Sequence, residues 1–187
     1  MAERPIPPRP GPGAGAARLA EILRVDHAGE LGAVHIYRGQ RAVLNAAPHK
    51  DRIGYQLQEM EAQEADHLTA FDALLNQHRV RPTLLAPVWR AAGFALGVGT
   101  ALMGEKAAHA CTEAIETVIE EHYAGQIEEL RGREPELAGR LSGFRDDELA
   151  HRDTALAGGA RQAPGYGLLS AVIRAGCRAA IKISEKV

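Results

Sequence analysis

Four long stretches of this chain, each free of internal proline, hold a glutamate well inside them, and that pattern restricts the fold more than any other feature. Glu30 and Glu116 stand alone, whereas Glu64 and Glu148 are followed three residues later by His67 and His151, in EADHL and DELAHRD. Residues three apart on an α-helix lie on one side, within roughly 60° of each other around the axis. Each Glu-x-x-His pair therefore aims a carboxylate and an imidazole at one point. Two such pairs alone are within the reach of chance, but their placement is ordered. A lone glutamate leads each half of the chain, a Glu-x-x-His pair follows at nearly the same separation, and a tyrosine stands seven residues after each lone glutamate, at Tyr37 and Tyr123. This is an internal repeat in the placement of polar groups.

The stretches run from about Ala17 to Ala46, Lys50 to Arg79, Glu105 to Leu130, and Pro135 to the Gly158-Gly159 pair. In the first, Leu19, Ile22, Leu23, Val34, Ile36 and Val43 supply an apolar face at helical spacing. Ala47-Pro48 and Arg81-Pro82 break the pattern, and Pro135 occupies a favoured first-turn position. No alternating β-branched segment competes with a helix anywhere. The expected fold is all-α: a four-helix bundle with two additional hydrophobic or amphipathic helices, Thr83 to Gly104 and the segment after Pro164-Gly165. Residues 1–16, rich in Pro and Gly and without an apolar signal core, read as a disordered lead-in to a single domain over residues 17–187. Only 4% of residues are aromatic, so the core must close through small side chains. Cys111 and Cys177 are too few for a disulfide framework and read as small buried hydrophobes. A net charge of −2 and a pI of about 6.4 argue against nucleic acid as a partner.

A bundle core with one Glu on each of two helices and Glu-x-x-His on each of the other two is a dinuclear carboxylate metal site. Four carboxylates gathered in a dry core repel one another and take up protons unless cations neutralise them, and two divalent ions do so. Oxygen-rich ligation with one histidine per metal suits iron or manganese. The candidate ligands are Glu30, Glu64, His67, Glu116, Glu148 and His151. Glu113 and Glu120 share a face with Glu116, and Glu61 stands one turn before Glu64, so a share in ligation for Glu113 or Glu61 stays open; the repeat selects Glu116. Tyr37 and Tyr123 are read as core packing at heptad spacing rather than as redox groups. His27, three residues before Glu30, is read as a neighbour of the site or a surface residue rather than a ligand.

The third helix is of another kind. Between Arg90 and Glu105 lie 14 uncharged residues, AAGFALGVGTALMG, short of the roughly 20 needed to span a bilayer. The last helix carries Arg174, Arg178, Lys182 and Lys186 as a basic stripe beside Leu168, Leu169, Val172, Ile173, Ala180 and Ile183. Together the two read as a peripheral membrane contact, apolar residues dipping in while cations meet anionic headgroups. A buried helix or an oligomer interface fits the same pattern equally well.

RVDHAGELGAVHIYRGQ around Glu30, EADHL, GEKAAHACTEAIETVIEEHY around Glu116, FRDDELAHRD and the terminal AGCRAAIKISEKV are similar, in that order, to the demethoxyubiquinone hydroxylase family of ubiquinone biosynthesis. These are membrane-associated members of the ferritin-like di-iron carboxylate proteins, and the resemblance runs from about Leu19 onward. It implies that the six candidate ligands bind two iron ions and that the enzyme activates O₂ to hydroxylate the ring of a polyprenyl methoxy-methyl-benzoquinol. It further implies electrons from NADH passing through the quinone itself, and a lipid-binding accessory protein as partner, with a homo-oligomer left open. The expected location is the cytoplasmic face of a bacterial membrane, the alternative being the matrix face of the mitochondrial inner membrane. Ala28, Gly29, Gly32 and Ala33 are expected to leave room for a ring beside the metals, with the third helix admitting the prenylated substrate. The rival reading, a ferritin-like iron store or manganese catalase, needs the metals but no lipid-facing helix.

Overall fold

Long runs of Ala, Leu, Glu and Arg favour helix at every position where no glycine or proline intervenes, and the computed structural model, which describes residues 14–46 and 51–187, is helical without a strand among them. The helices are α1 (Ala14–Leu44), α2 (Asp51–His78), α3 (Ala86–Leu102), α4 (Glu105–Leu130), α5 (Pro135–Ala157) and α6 (Tyr166–Ser184), with a 3-10 turn at Ala160–Gln162 before the last. The helix begins at Ala14, three residues ahead of the expected Ala17, because Ala14 and Ala16 extend a strongly helix-forming run. The rest of the Pro- and Gly-rich lead-in, residues 1–13, and the Ala47-Pro48 break lie outside the described residues. α3 starts at Ala86 rather than Thr83. The Thr83 side-chain oxygen instead accepts the Leu85 N–H and turns the chain just ahead of Pro87. At the α3–α4 junction Gly104 sits at φ 108°, a left-handed conformation that a side chain would strain.

α1 and α4 form the middle of the molecule. On one side α2 packs against α1 and α5 against α4; on the other α3 covers α1 and α6 covers α4. The chain is thus two matching three-helix halves, and the ferritin-like bundle is α1, α2, α4 and α5. Two apolar clusters close the bundle at either end. Ile22, Leu23, Phe71, Leu74, Leu130 and Leu141 belong to one, and Leu44, Ile53, Leu57, Met60 and Ala108 to the other. Glu30, Glu64 and Glu116 lie between these clusters along α1, α2 and α4, shut off from water at both ends.

α3 is half core and half surface. Gly93, Gly97, Thr100 and Ala101 are buried against α1. A Cβ at Gly93 would stand 2.7 Å from the Gly32 carbonyl oxygen, and one at Gly97 would overlap the Ile36 carbonyl, so the two backbones touch. Its other face leaves Val88, Phe94, Leu102 and Met103 exposed, and α6 similarly exposes Leu168, Val172 and Ile183. The basic stripe expected on α6 is largely spoken for. Arg174 pairs with Glu113 at 2.6 Å, Arg178 with Glu121 at 2.9 Å and Lys186 with Glu21 at 2.7 Å. Acidic residues on α4 and α1 stand opposite α6, so these cations bind the protein's own carboxylates. No helix among the described residues is long and apolar enough to cross a membrane.

Candidate metal centre

The four bundle helices each deliver what the repeat predicts. Glu30 comes from α1, Glu64 and His67 from α2, Glu116 from α4, and Glu148 and His151 from α5, all of them buried. They form two overlapping groups. Ligand-type atoms of Glu30, Glu64, His67 and Glu148 lie within 4.8 Å of one another, as do those of Glu64, Glu116, Glu148 and His151. Glu64 and Glu148 belong to both groups. The spacing on each helix shows that a Glu-x-x-His pair converges; only the three-dimensional arrangement shows that its glutamate is shared while Glu30 and Glu116 serve one side each.

The imidazoles point inward through Nδ1. His67 Nδ1 is 3.5 Å from Glu30 and 3.5 Å from Glu148, and His151 Nδ1 is 3.1 Å from Glu64 and 3.5 Å from Glu148. Their outward nitrogens are engaged: His67 Nε2 with Asp147 at 3.1 Å and His151 Nε2 with Gln63 at 2.8 Å. A carboxylate only accepts, so Asp147 requires the His67 proton on Nε2 and leaves Nδ1 free to ligate. Each partner is the residue just before the glutamate of the opposite pair, so α2 orients the histidine of α5 and α5 that of α2. Neither Gln63 nor Asp147 was singled out from the sequence. Their common position before the repeated glutamates was the available signal.

The tyrosines do more than pack. Both are fully buried, as the core reading requires, yet the Tyr37 hydroxyl on α1 donates to Glu116 on α4 at 2.5 Å, and the Tyr123 hydroxyl on α4 donates to Glu30 on α1. The open alternatives also resolve. Glu61 is taken by Arg38 at 2.8 Å and by Arg41, Glu113 by Arg174 and the Tyr166 hydroxyl, and Glu120 by Arg145. His27 pairs with Asp72 at 3.0 Å, away from the cluster. Cys111 and Cys177 are thiols that burial pushes up to about 12, which leaves them inert.

Eight atoms at the centre are buried and have no hydrogen-bond partner: Glu30 Oε2, both oxygens of Glu64 and of Glu148, Glu116 Oε2, and Nδ1 of His67 and of His151. Buried polar atoms left in that state cost on the order of 1–3 kcal/mol each, and a group of eight facing one another has the composition of a cation-binding donor set. The charges agree. Burial, then the Glu148 charge, raises Glu64 and Glu116 well above the ordinary carboxylate range. Burial alone would lower His67, but Glu148 and Glu30 outweigh it and hold the imidazole up to about 10. Burial likewise opposes ionisation of Glu148, which His151 and His67 overcome. Without metal, protons do the neutralising. Six ligands, oxygen-rich with one imidazole per group, fit two iron or manganese ions.

α1 and α4, which carry Glu30 and Glu116, also wall an apolar cavity of about 390 Å³ together with α3 and α6. Its α1 wall is Ala28, Gly29, Gly32 and Ala33, the small residues expected to leave room for a ring. Ile115 and Ile119 flank Glu116 in its α4 wall. Gly93, Leu96 and Trp89 from α3, and Ile173, Gly176 and Cys177 from α6, complete it.

Residues 17–184 match the family described as Ubiquinone biosynthesis protein COQ7. The 3-demethoxyubiquinol 3-hydroxylase of Rhodospirillum rubrum is 51% identical over 186 residues, spanning 100% of this chain and 85% of the relative. The mitochondrial NADPH-dependent 3-demethoxyubiquinone 3-hydroxylase of Mus musculus is 49% identical over 174 residues, 91% of this chain and 78% of its own. The mitochondrial 5-demethoxyubiquinone hydroxylase of Saccharomyces cerevisiae is 42% identical over 188 residues, 92% of this chain and 79% of its own. The nucleotide in the mouse name is NADPH, where the resemblance led to NADH.

Proposed function

The chain belongs to the ubiquinone biosynthesis protein COQ7 family, and from that premise we propose that it hydroxylates the ring of a demethoxyubiquinol at a di-iron centre held by Glu30, Glu64, His67, Glu116, Glu148 and His151. The observation that carries this reading is the buried, unsatisfied carboxylate–imidazole cluster in a chain whose α1 and α4 also wall an apolar cavity of about 390 Å³. Iron store and manganese catalase have no use for such a cavity. Two bound irons would supply the activation of O₂.

The chain's own residues supply the rest. Glu64 and Glu148, which belong to both donor groups, would hold both ions, while Glu30 and Glu116 would each serve one. Tyr37 and Tyr123 fix the Glu116 and Glu30 carboxylates through hydrogen bonds, and the second oxygen of each would be available to a metal. The glycines and alanines of α1 let a quinol ring approach, and the leucine, isoleucine and phenylalanine clusters keep bulk water out. The polyprenyl tail leaves between α3 and α6, whose exposed Val88, Phe94, Leu168 and Val172 would rest on the membrane that dissolves the substrate. Because three of the four cations of the α6 stripe, all but Lys182, are paired with the chain's own carboxylates, this contact would rest on apolar burial more than on headgroup charge. A peripheral position, on the cytoplasmic face of a bacterial membrane or the matrix face of the inner mitochondrial one, would suit this surface. A nicotinamide nucleotide, NADH or NADPH, would supply the electrons through the bound quinone. An accessory lipid-binding protein or a second copy of the chain would have the same apolar face to dock on.

The test supplies anaerobically iron-loaded protein with a demethoxyubiquinol analogue, ¹⁸O₂ and either nucleotide, with product read by mass spectrometry. The expected result is one labelled ring oxygen from wild type and none from a Glu148→Ala, His151→Ala variant. Labelled product from both proteins, or from neither at full iron content, would sink the assignment.

A further inference from the structure

The six ligands obey the repeat, but their outward partners do not. His67 Nε2 meets the carboxylate of Asp147 and His151 Nε2 meets the amide oxygen of Gln63. The apolar surroundings differ as well. The Phe144 ring packs 4.2 Å from the His67 ring, whereas His151 has the edge of Tyr37 at 6.1 Å. A carboxylate bonded to the far nitrogen of a metal-binding imidazole makes the near nitrogen a stronger donor, and removing such a partner costs roughly 10–100-fold in metal affinity. A neutral amide supplies orientation without the charge. Phe144 covers one face of the His67 ring, while the Asp147 side chain, 44% exposed, reaches that ring from the outside.

We propose that Asp147 makes the two sides of the centre unequal: the side of Glu30 and His67 binds its ion more tightly and fills first, and the side of Glu116 and His151 fills second. Asp147 is a positioning residue acting through His67, not a ligand. Glu64 and Glu148 reach both sides, so the first ion also gathers the shared carboxylates for the second. The proposal rests on the di-metal reading above and asks more of it, because the ligand list alone predicts two equivalent sides.

The experiment titrates the full chain anaerobically with Co²⁺, and separately with Fe²⁺, against a competing chelator, following the visible absorption of bound cobalt. Wild type is expected to bind in two resolved steps. Asp147→Asn, of the same shape, should weaken the first step roughly 10–100-fold and merge it with the second. Gln63→Glu should tighten the second step, a gain that a misfolded variant cannot produce, and the double exchange should restore two steps. If wild type binds two ions and Asp147→Asn moves neither step, or if Gln63→Ala weakens binding as much as Asp147→Asn, the inequality is refuted while the di-metal reading stands. If wild type binds no metal, both fall.

Discussion

The cavity wall offers the sharpest test of where the substrate lies. Gly32 faces the cavity, and a Cβ built on it meets nothing within 4 Å, so Gly32→Leu adds a side chain into open space rather than into neighbours. A leucine brings four carbons, and displacing an equal length of substrate at about 0.8 kcal/mol per buried CH₂ removes about 3 kcal/mol of binding. With tenfold per about 1.4 kcal/mol, KM for a prenylated quinol should rise roughly 150-fold. Folding should not suffer. Replacing a helical glycine gains about 0.5–1 kcal/mol, so Tm should hold or rise, and iron content should stay at the wild-type level because the ligands lie on other faces. The measurements are KM with a prenylated quinol, iron per chain and thermal unfolding. An unchanged KM at full iron content would show that the substrate does not use this space. A fall in Tm or loss of iron would show that the space is not there.

Glu148 belongs to both candidate donor groups and Glu30 to one. Anaerobic Fe²⁺ titration should therefore find both ions lost in Glu148→Ala and a single ion retained in Glu30→Ala; equal losses would contradict the sharing. Gly97→Ala drives a methyl into the Ile36 carbonyl and should destabilise by about 1–3 kcal/mol, whereas Gly99→Ala, with nothing within 4 Å, should be neutral or stabilising. Urea unfolding that ranks the pair the other way would overturn the account of α1–α3 packing. Glu64 and Glu116 hold their protons above the ordinary carboxylate range through burial and the neighbouring charge of Glu148. Metal uptake must expel those protons, so affinity should fall as pH is lowered and binding in unbuffered solution should release acid. A pH-independent affinity would rule this out.

The repeat was legible because it lies in residue identity: a Glu-x-x-His pair reports its own convergence from helical geometry alone, and Tyr37 and Tyr123 separated Glu116 from Glu113 and Glu120. What one helix cannot report is which residue of another it meets. That is why the shared role of Glu64 and Glu148, the crossed tyrosines and the Gln63 and Asp147 partners all came from the fold. The partners of the α6 stripe were hidden for the same reason. Arg174, Arg178 and Lys186 look like free cations until Glu113, Glu121 and Glu21 stand opposite them. α3 was half legible, since its lack of charge marked it as unusual while its glycines only acquired meaning against the carbonyls of α1.

The crossed tyrosines bind the two halves of the chain to each other. Glu30 is held from the second half and Glu116 from the first, so neither half, folded alone, satisfies its own lone glutamate. A substitution at Tyr123 therefore acts on a carboxylate of the first half and one at Tyr37 on a carboxylate of the second. Damage to either half is felt in its counterpart, and the halves stand or fall together.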